Sequence, residues 1–203
     1  MRNGTVLRPI DRAGFLAGLD VLIDIYAQAM QPPPEQLVGR RSIMERHAGH
    51  PAFRAVAVAA CGGDDQVIAF AYGFGGASGQ WWHDVVRAGL TVATGRPAAD
   101  AWLADSFEIA EVHVRPQFQR RGIGRAMLLR LTAGCPQRTA LLSTLDAASP
   151  ARRLYGSLGF AELLTLLRDR SESAQRLRDF APFAGILTCE ERRKAEPECA
   201  YHF

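Results

Sequence analysis

Residues 111–134, EVHVRPQFQRRGIGRAMLLRLTAG, constrain the fold more than any other stretch. A strand-like run ends in Val114, a turn carries Gly122 and Gly124, and an amphipathic helical pattern follows to a natural stop at Gly134. Glycines at the turn let the backbone bend closely, so that amides of the loop and of the first helical turn face an anion, and the helix dipole favours negative charge there. A pyrophosphate suits such a pocket. Two familiar phosphate loops do not fit: Met127 stands where a dinucleotide fold keeps its third glycine, and no GK[ST] follows for a nucleoside triphosphate.

Elements of both kinds surround this segment. Residues 13–30 carry Phe15, Leu19, Leu22, Ile23 and Tyr26 at helical spacing and end before Pro32, Pro33 and Pro34, and a second helical stretch, 35–47, offers Leu37, Ile43 and Met44 as an inner face. Two β-prone runs, 53–60 and 67–74, read as a hairpin across CGGDDQ. An inserted helix is expected from Trp81, with two candidate inner rows: Trp81, Val85 and Val92, or Trp82, Val86 and Ala93. A short segment at 101–104 then leads into a buried strand, 107–114. After the glycine turn and its helix come a strand (139–145), a short helix (150–157) and closing strands near 160–167 and 183–189. The polar residues 190–203 read as a tail, and no internal repeat is visible. With 48% hydrophobic and 22% charged residues, a chain of 203 residues is expected to fold as one domain.

QRRGIG, following a strand that ends in VHVRP, resembles the [QR]xxGx[GA] acetyl-CoA motif of the GNAT superfamily of N-acetyltransferases. SPARRLYGSLGF, residues 149–160, resembles that family's second cofactor segment, in which a tyrosine on a short helix precedes a GF pair. The resemblance covers about residues 53–167, with 76–106 as a helical insertion. It implies an α+β fold: a central mixed, mostly antiparallel sheet flanked by helices and splayed between its fourth and fifth strands. It also implies acetyl-CoA as co-substrate, and with the length and composition the expectation is a single acetyltransferase domain over 1–203; no metal is expected from the spacing of the histidines.

Carried over by position, the resemblance implies that the amides of Gln119, Arg120, Arg121, Gly122, Ile123, Gly124, Arg125 and Ala126 hold the CoA pyrophosphate. Val112 and Val114 would pair with pantetheine through their backbone, and the N–H of Val112 or His113 would stabilise the oxyanion. Tyr155 matches the general acid that protonates the leaving thiolate, on a helix for which Ser149 is the expected N-cap and Pro150 the first residue. The asparagine often found seven residues before that tyrosine is Ala148 here.

An alkylamine with a pKa of about 10 is mostly protonated near neutrality, so attack on a thioester requires a base. Glu108 falls where several family members keep a catalytic acid or histidine and ranks first, with Glu111 second. Strand alternation puts the two carboxylates on opposite faces unless a bulge resets the parity. His113 reads as a structural strand histidine, and His47, His83 and His202 lack spacing with acids or thiols that would make a metal site.

The net charge of +3 is almost all arginine, Lys194 being the only lysine, and no basic stripe for nucleic acid is visible. The arginine-rich, alanine-rich composition fits a GC-rich, bacterial coding sequence. Four dispersed cysteines, no hydrophobic leader in residues 1–10 and no apolar run of roughly 20 residues point to a reducing cytoplasm without membrane insertion. The expected acceptor is a primary amine of a small molecule. A protein N-terminus or lysine is the alternative acceptor, and a catalytically idle acyl-CoA-binding module the alternative class. Trp81, Trp82 and Trp102 make the insertion a candidate for acceptor selection, for a homodimer contact, or for packing alone.

Overall fold

The computed structural model describes residues 4–61, 66–144, 148–162 and 183–188. The described residues divide into two compact units, those within 4–74 and 110–133 and those within 75–109, 134–162 and 183–188. Of the sequence expectations, residues 163–167, most of the closing strand near 160–167, and the tail at 190–203 lie outside the described residues.

In the first unit, β1 (Thr5–Ile10), β2 (Arg54–Ala60) and β3 (Val67–Gly75) form antiparallel pairs, β1 with β2 and β2 with β3. Buried residues run without a gap from Ala55 to Ala59, so successive side chains on both faces of β2 need cover. Helices α1 (Arg12–Ala17), α2 (Leu19–Met30) and α4 (Arg40–Ala48) supply part of it: Phe15, Leu19, Leu22, Ile25 and Met44 form one core with Ala55, Phe70 and Tyr72. Between α2 and α4 lies the single turn α3 (Pro34–Leu37). Helix α7 (Ile123–Thr132) also packs on β2, through the apolar row that buries Met127, Leu128 and Leu131.

Three sequence expectations are corrected here. The helix expected over 13–30 is two helices, because Gly18 leaves helical geometry (φ −88°, ψ 1°) and its N–H closes α1 on the carbonyl of Gly14 at 3.0 Å. The helix expected over 35–47 is likewise broken at Gly39, which adopts a left-handed φ of +80°. Strand β1 was not expected at all: TVLRPI lacks clean alternation and contains Pro9, which a strand tolerates when it is outermost in the order β1-β2-β3, as this one is.

In the second unit, the first half of β4 (Ser106–Val114) pairs in parallel with β5 (Thr139–Thr144), from Ser106 opposite Thr139 to Ile109 opposite Leu142. β4 itself continues to Val114, its residues 110–114 belonging to the first unit. β7 (Phe183–Thr188) runs antiparallel to β5, and the two-residue β6 (Ala161–Glu162) runs antiparallel to β7. The sheet is therefore mixed and mostly antiparallel, as the sequence led one to expect.

The insertion holds two helices, α5 (Trp81–Thr94) and α6 (Arg96–Leu103). α6 is longer than the segment expected at 101–104, since Pro97 sits in its first turn, where its missing N–H costs nothing. Val86, Leu90, Ala99 and Leu103 bury against Leu141, with Trp82, Val85 and Trp102 partly buried around them. Trp81 and Val92 stay exposed, at 61% and 55%. The inner face thus contains Trp82 and Val86, with Val85 at its margin. The N–H of Gly76 donates to the carbonyl of Ser106 at 2.8 Å and ties the two ends of the insertion together.

Candidate active site

Arg120 and Gly122 both adopt left-handed conformations, with φ of 61° and 79°, and reverse the chain between the 3₁₀ turn Pro116–Phe118 and α7. Gly122 is the N-cap of α7 and no side chain caps that end. The first backbone bond into the helix runs from the N–H of Ala126 to the carbonyl of Gly122, which leaves the N–H groups of Ile123, Gly124 and Arg125 without intrahelical acceptors. Three donors and a positive dipole end thus converge at an exposed turn, a fitting place for a phosphate. The two glycines have different roles: only Gly122 needs its conformational freedom, whereas Gly124 already lies within the first turn of the helix. Gln119 Nε2 donates to the carbonyl of Val114 and Arg121 to that of Gln117, so these side chains brace the turn from within.

The second motif is a capped helix. Ser149 Oγ accepts from the N–H of Arg152 at 3.1 Å and Pro150 starts α8 (Pro150–Ser157), the N-cap and N1 expected. At the other end, Gly159 is left-handed (φ 93°), its N–H donates to the carbonyl of Gly156, and the N–H of Phe160 donates to that of Tyr155, both at 3.1 Å. This pair of bonds is a Schellman motif, completed by the apolar contact such caps often carry: the rings of Tyr155 and Phe160 meet edge to face at 5.9 Å. The tyrosine and the GF pair recur together for a physical reason. The cap fixes the backbone and one side of the ring of Tyr155, which is 7% exposed.

The two glutamates of β4 have separate surroundings. Glu108 is buried, and its Oε1 lies 2.8 Å from His83 Nδ1, on α5. Burial raises its carboxyl above the usual range, opposed by the hydrogen bond and charge of His83, and Asp84 raises it further. Both oxygens of Glu111 are engaged, one by Arg40 of α4 and the other by His113 Nε2. The Arg40 guanidinium also lies 3.8 Å from the centre of the Tyr26 ring, and His113 packs between Tyr26 and Phe70. Sequence reading missed His83 and Arg40, which lie 25 and 71 residues from their carboxylates with no spacing to mark the pairs, whereas His113 stands two residues from Glu111, where strand alternation puts both side chains on one face.

A further polar pair, His47 Nδ1 and the Tyr72 hydroxyl, lies 3.1 Å apart. Burial lowers the His47 pKa to about 4 and pushes the Tyr72 phenol well up, so a neutral imidazole can accept the phenol proton. Since the unfolded histidine titrates at about 6.5, the unfolded chain binds the extra proton first as pH falls. The contribution of His47 to stability is therefore complete above about 6.5 and is lost as pH drops toward 4. Thermal unfolding of the wild type and His47→Gln should differ in pH dependence within that window and run parallel above it.

Among the described residues, no group of three or more His, Cys, Asp or Glu is placed to hold a metal ion, and no helix is long and apolar enough to cross a membrane.

A strand, an uncapped helix N-terminus behind a QRRGIG turn and a tyrosine helix with a GF cap are the elements of a GNAT-type acetyltransferase domain. Residues 54–162, more than half of the chain, match the acetyltransferase (GNAT) domain. The chain belongs to that family. A GCN5-like protein acetyltransferase of Mycobacterium tuberculosis is 40% identical over 102 residues, covering 48% of this chain and 50% of the relative. The chain thus spans about half the length of that curated relative. Among solved structures, the PaiA N-acetyltransferase of Thermoplasma acidophilum in complex with coenzyme A aligns over 91% of this chain and 99% of its own, with a TM-score of 0.56 and 11% identity. The ribosomal-protein-S18-alanine N-acetyltransferase of Escherichia coli aligns over 78% and 79%, with a TM-score of 0.51 and 18% identity. At these identities the likeness is one of fold.

Proposed function

We propose that the protein is an acetyl-CoA-dependent N-acetyltransferase that moves the acetyl group directly to the primary amine of a small molecule. The observation that carries this reading is the QRRGIG turn, where left-handed Arg120 and Gly122 deliver an uncapped helix N-terminus. In this reading the N–H groups of Ile123, Gly124 and Arg125 lead the Gln119–Ala126 segment in taking the CoA pyrophosphate, since those of Gln119 and Ala126 already donate to the carbonyls of Pro116 and Gly122, and the backbone of Val112 and Val114 takes pantetheine. Glu108 serves as base, because both oxygens of Glu111 are already engaged by Arg40 and His113, and because a buried carboxyl whose pKa is raised is better matched to proton abstraction near neutrality.

The amine nitrogen then attacks the thioester carbon as its proton passes to Glu108, directly or through water. A backbone N–H of Val112 or His113 meets the oxyanion, and collapse forms the amide while the C–S bond breaks. Tyr155 donates its phenolic proton to the departing sulfur. No cysteine carries the acetyl group.

A protein amino group is the second reading, favoured by the relative described as a protein acetyltransferase, which is 40% identical over 102 residues. An acceptor panel separates the two: small amines such as polyamines, amino acids and aminoglycosides against peptides bearing a free N-terminus or a lysine, each scored for amide formed. Turnover with small amines supports the first reading. Turnover confined to peptides supports the second, and CoA binding without amide formation in any arm would reduce the protein to a binding module.

A further inference from the structure

We infer that His83 is a positioning residue for Glu108, donating its Nδ1–H to Oε1 and so fixing the orientation and charge of the carboxylate from the insertion helix α5. This rests on the role of Glu108 as base. The pair is enclosed, with His83 4% and Glu108 3% exposed, and the two atoms stand 2.8 Å apart. An ionised carboxylate in such a place requires a donor, and an imidazole N–H at that distance is one.

The backbone around the pair is built to leave it room. A Cβ on Gly76 would fall 2.4 Å from Ser106 Oγ, 2.6 Å from Glu108 Oε1 and 2.8 Å from His83 Nδ1, so any side chain at this position would force the pair apart. Ser106 cannot readily yield, since its hydroxyl donates to the carbonyl of Leu103 at 3.2 Å and its own carbonyl holds Gly76. The insertion therefore does more than cover the sheet: its entry, its exit and its first helix all converge on one carboxylate. The other charged group bearing on Glu108 is Asp84, which opposes ionisation where His83 assists it.

A merely structural histidine and a positioning one differ in their effect on pH dependence. His83→Phe removes the donor, and the acid limb of kcat against pH should move up by about one unit, roughly tenfold in turnover below the limb, with acetyl-CoA affinity held within about twofold. His83→Asn, whose amide N–H can reach about the same point as Nδ1–H, should bring the limb back most of the way. The amine used is the best acceptor from the panel above. Equal limbs in all three proteins would overturn the inference.

A measurement on the wild-type chain decides the matter should His83→Phe not fold. Nitrogen-15 NMR of the histidines, with His83 assigned by its absence in His83→Asn, should show Nδ1 protonated and its shift tracking the Glu108 titration, a coupling lost in Glu108→Gln. An Nε2–H tautomer with a bare Nδ1 would contradict the inference. Full turnover by Glu108→Gln would instead sink the base assignment while leaving the NMR coupling intact, so the two failures are distinguishable.

Discussion

Gly122→Val should lose coenzyme A binding while keeping the fold. At φ +79° a valine is strained, yet the added Cβ would meet nothing within 4 Å, so the cost is conformational rather than a clash. A left-handed, β-branched residue costs about 1–2 kcal/mol, which a chain of this size registers as a fall in Tm of a few degrees. The turn can relieve the strain only by rotating out of the left-handed region, and that rotation re-aims the first N–H groups of α7. Calorimetric titration with CoA should show affinity weakened by roughly two orders of magnitude, about 2.7 kcal/mol. A folded variant that binds CoA as the wild type does would remove the phosphate from this turn. Gly124→Ala, within the first helical turn, should disturb the free protein far less.

Glu108→Gln should lower turnover by roughly 10²- to 10⁴-fold near neutrality, the usual contribution of a positioned base. The sign of the pH effect follows from burial. A base works only when ionised, and burial raises this carboxyl, so wild-type turnover should climb with pH through a limb above the ordinary carboxylate range. In the glutamine variant that limb should vanish, with activity recovering only as the acceptor amine loses its own proton at high pH. Stopped-flow or steady-state release of CoA thiol across the pH range reads both effects. Glu111→Gln should behave differently, disturbing the contacts with Arg40 and His113 and lowering stability more than it alters the limb.

How much of this was legible in the sequence depends on how local the physics is. The QRRGIG turn and the SPARRLYGSLGF helix were readable because their chemistry closes within a few residues: a left-handed glycine before a helix in one, and an N-cap with a Schellman end in the other. The break at Gly18 was not, because apolar spacing continues from Phe15 to Leu19 and Leu22 across it and only the backbone shows the interruption. Strand β1 escaped because an outermost strand with a largely exposed pattern carries little alternation to detect. The distant partners of the two glutamates were out of reach in principle, unlike His113, two residues from Glu111 on the same strand. His83 and Arg40 meet Glu108 and Glu111 through tertiary packing, and nothing near either carboxylate announces them.

Following the acetyl group itself tests direct transfer. The full chain is incubated with acetyl-CoA carrying an isotopically labelled acetyl group and the amine and peptide panel, and the products are resolved by mass spectrometry alongside thiol release. Direct transfer predicts the label in a new amide, one CoA thiol released per amide formed, and no acetyl left on the protein. Thiol release with the label recovered only as free acetate, or an acetylated cysteine on the chain that transfers its label to the amine in a second step, would contradict it.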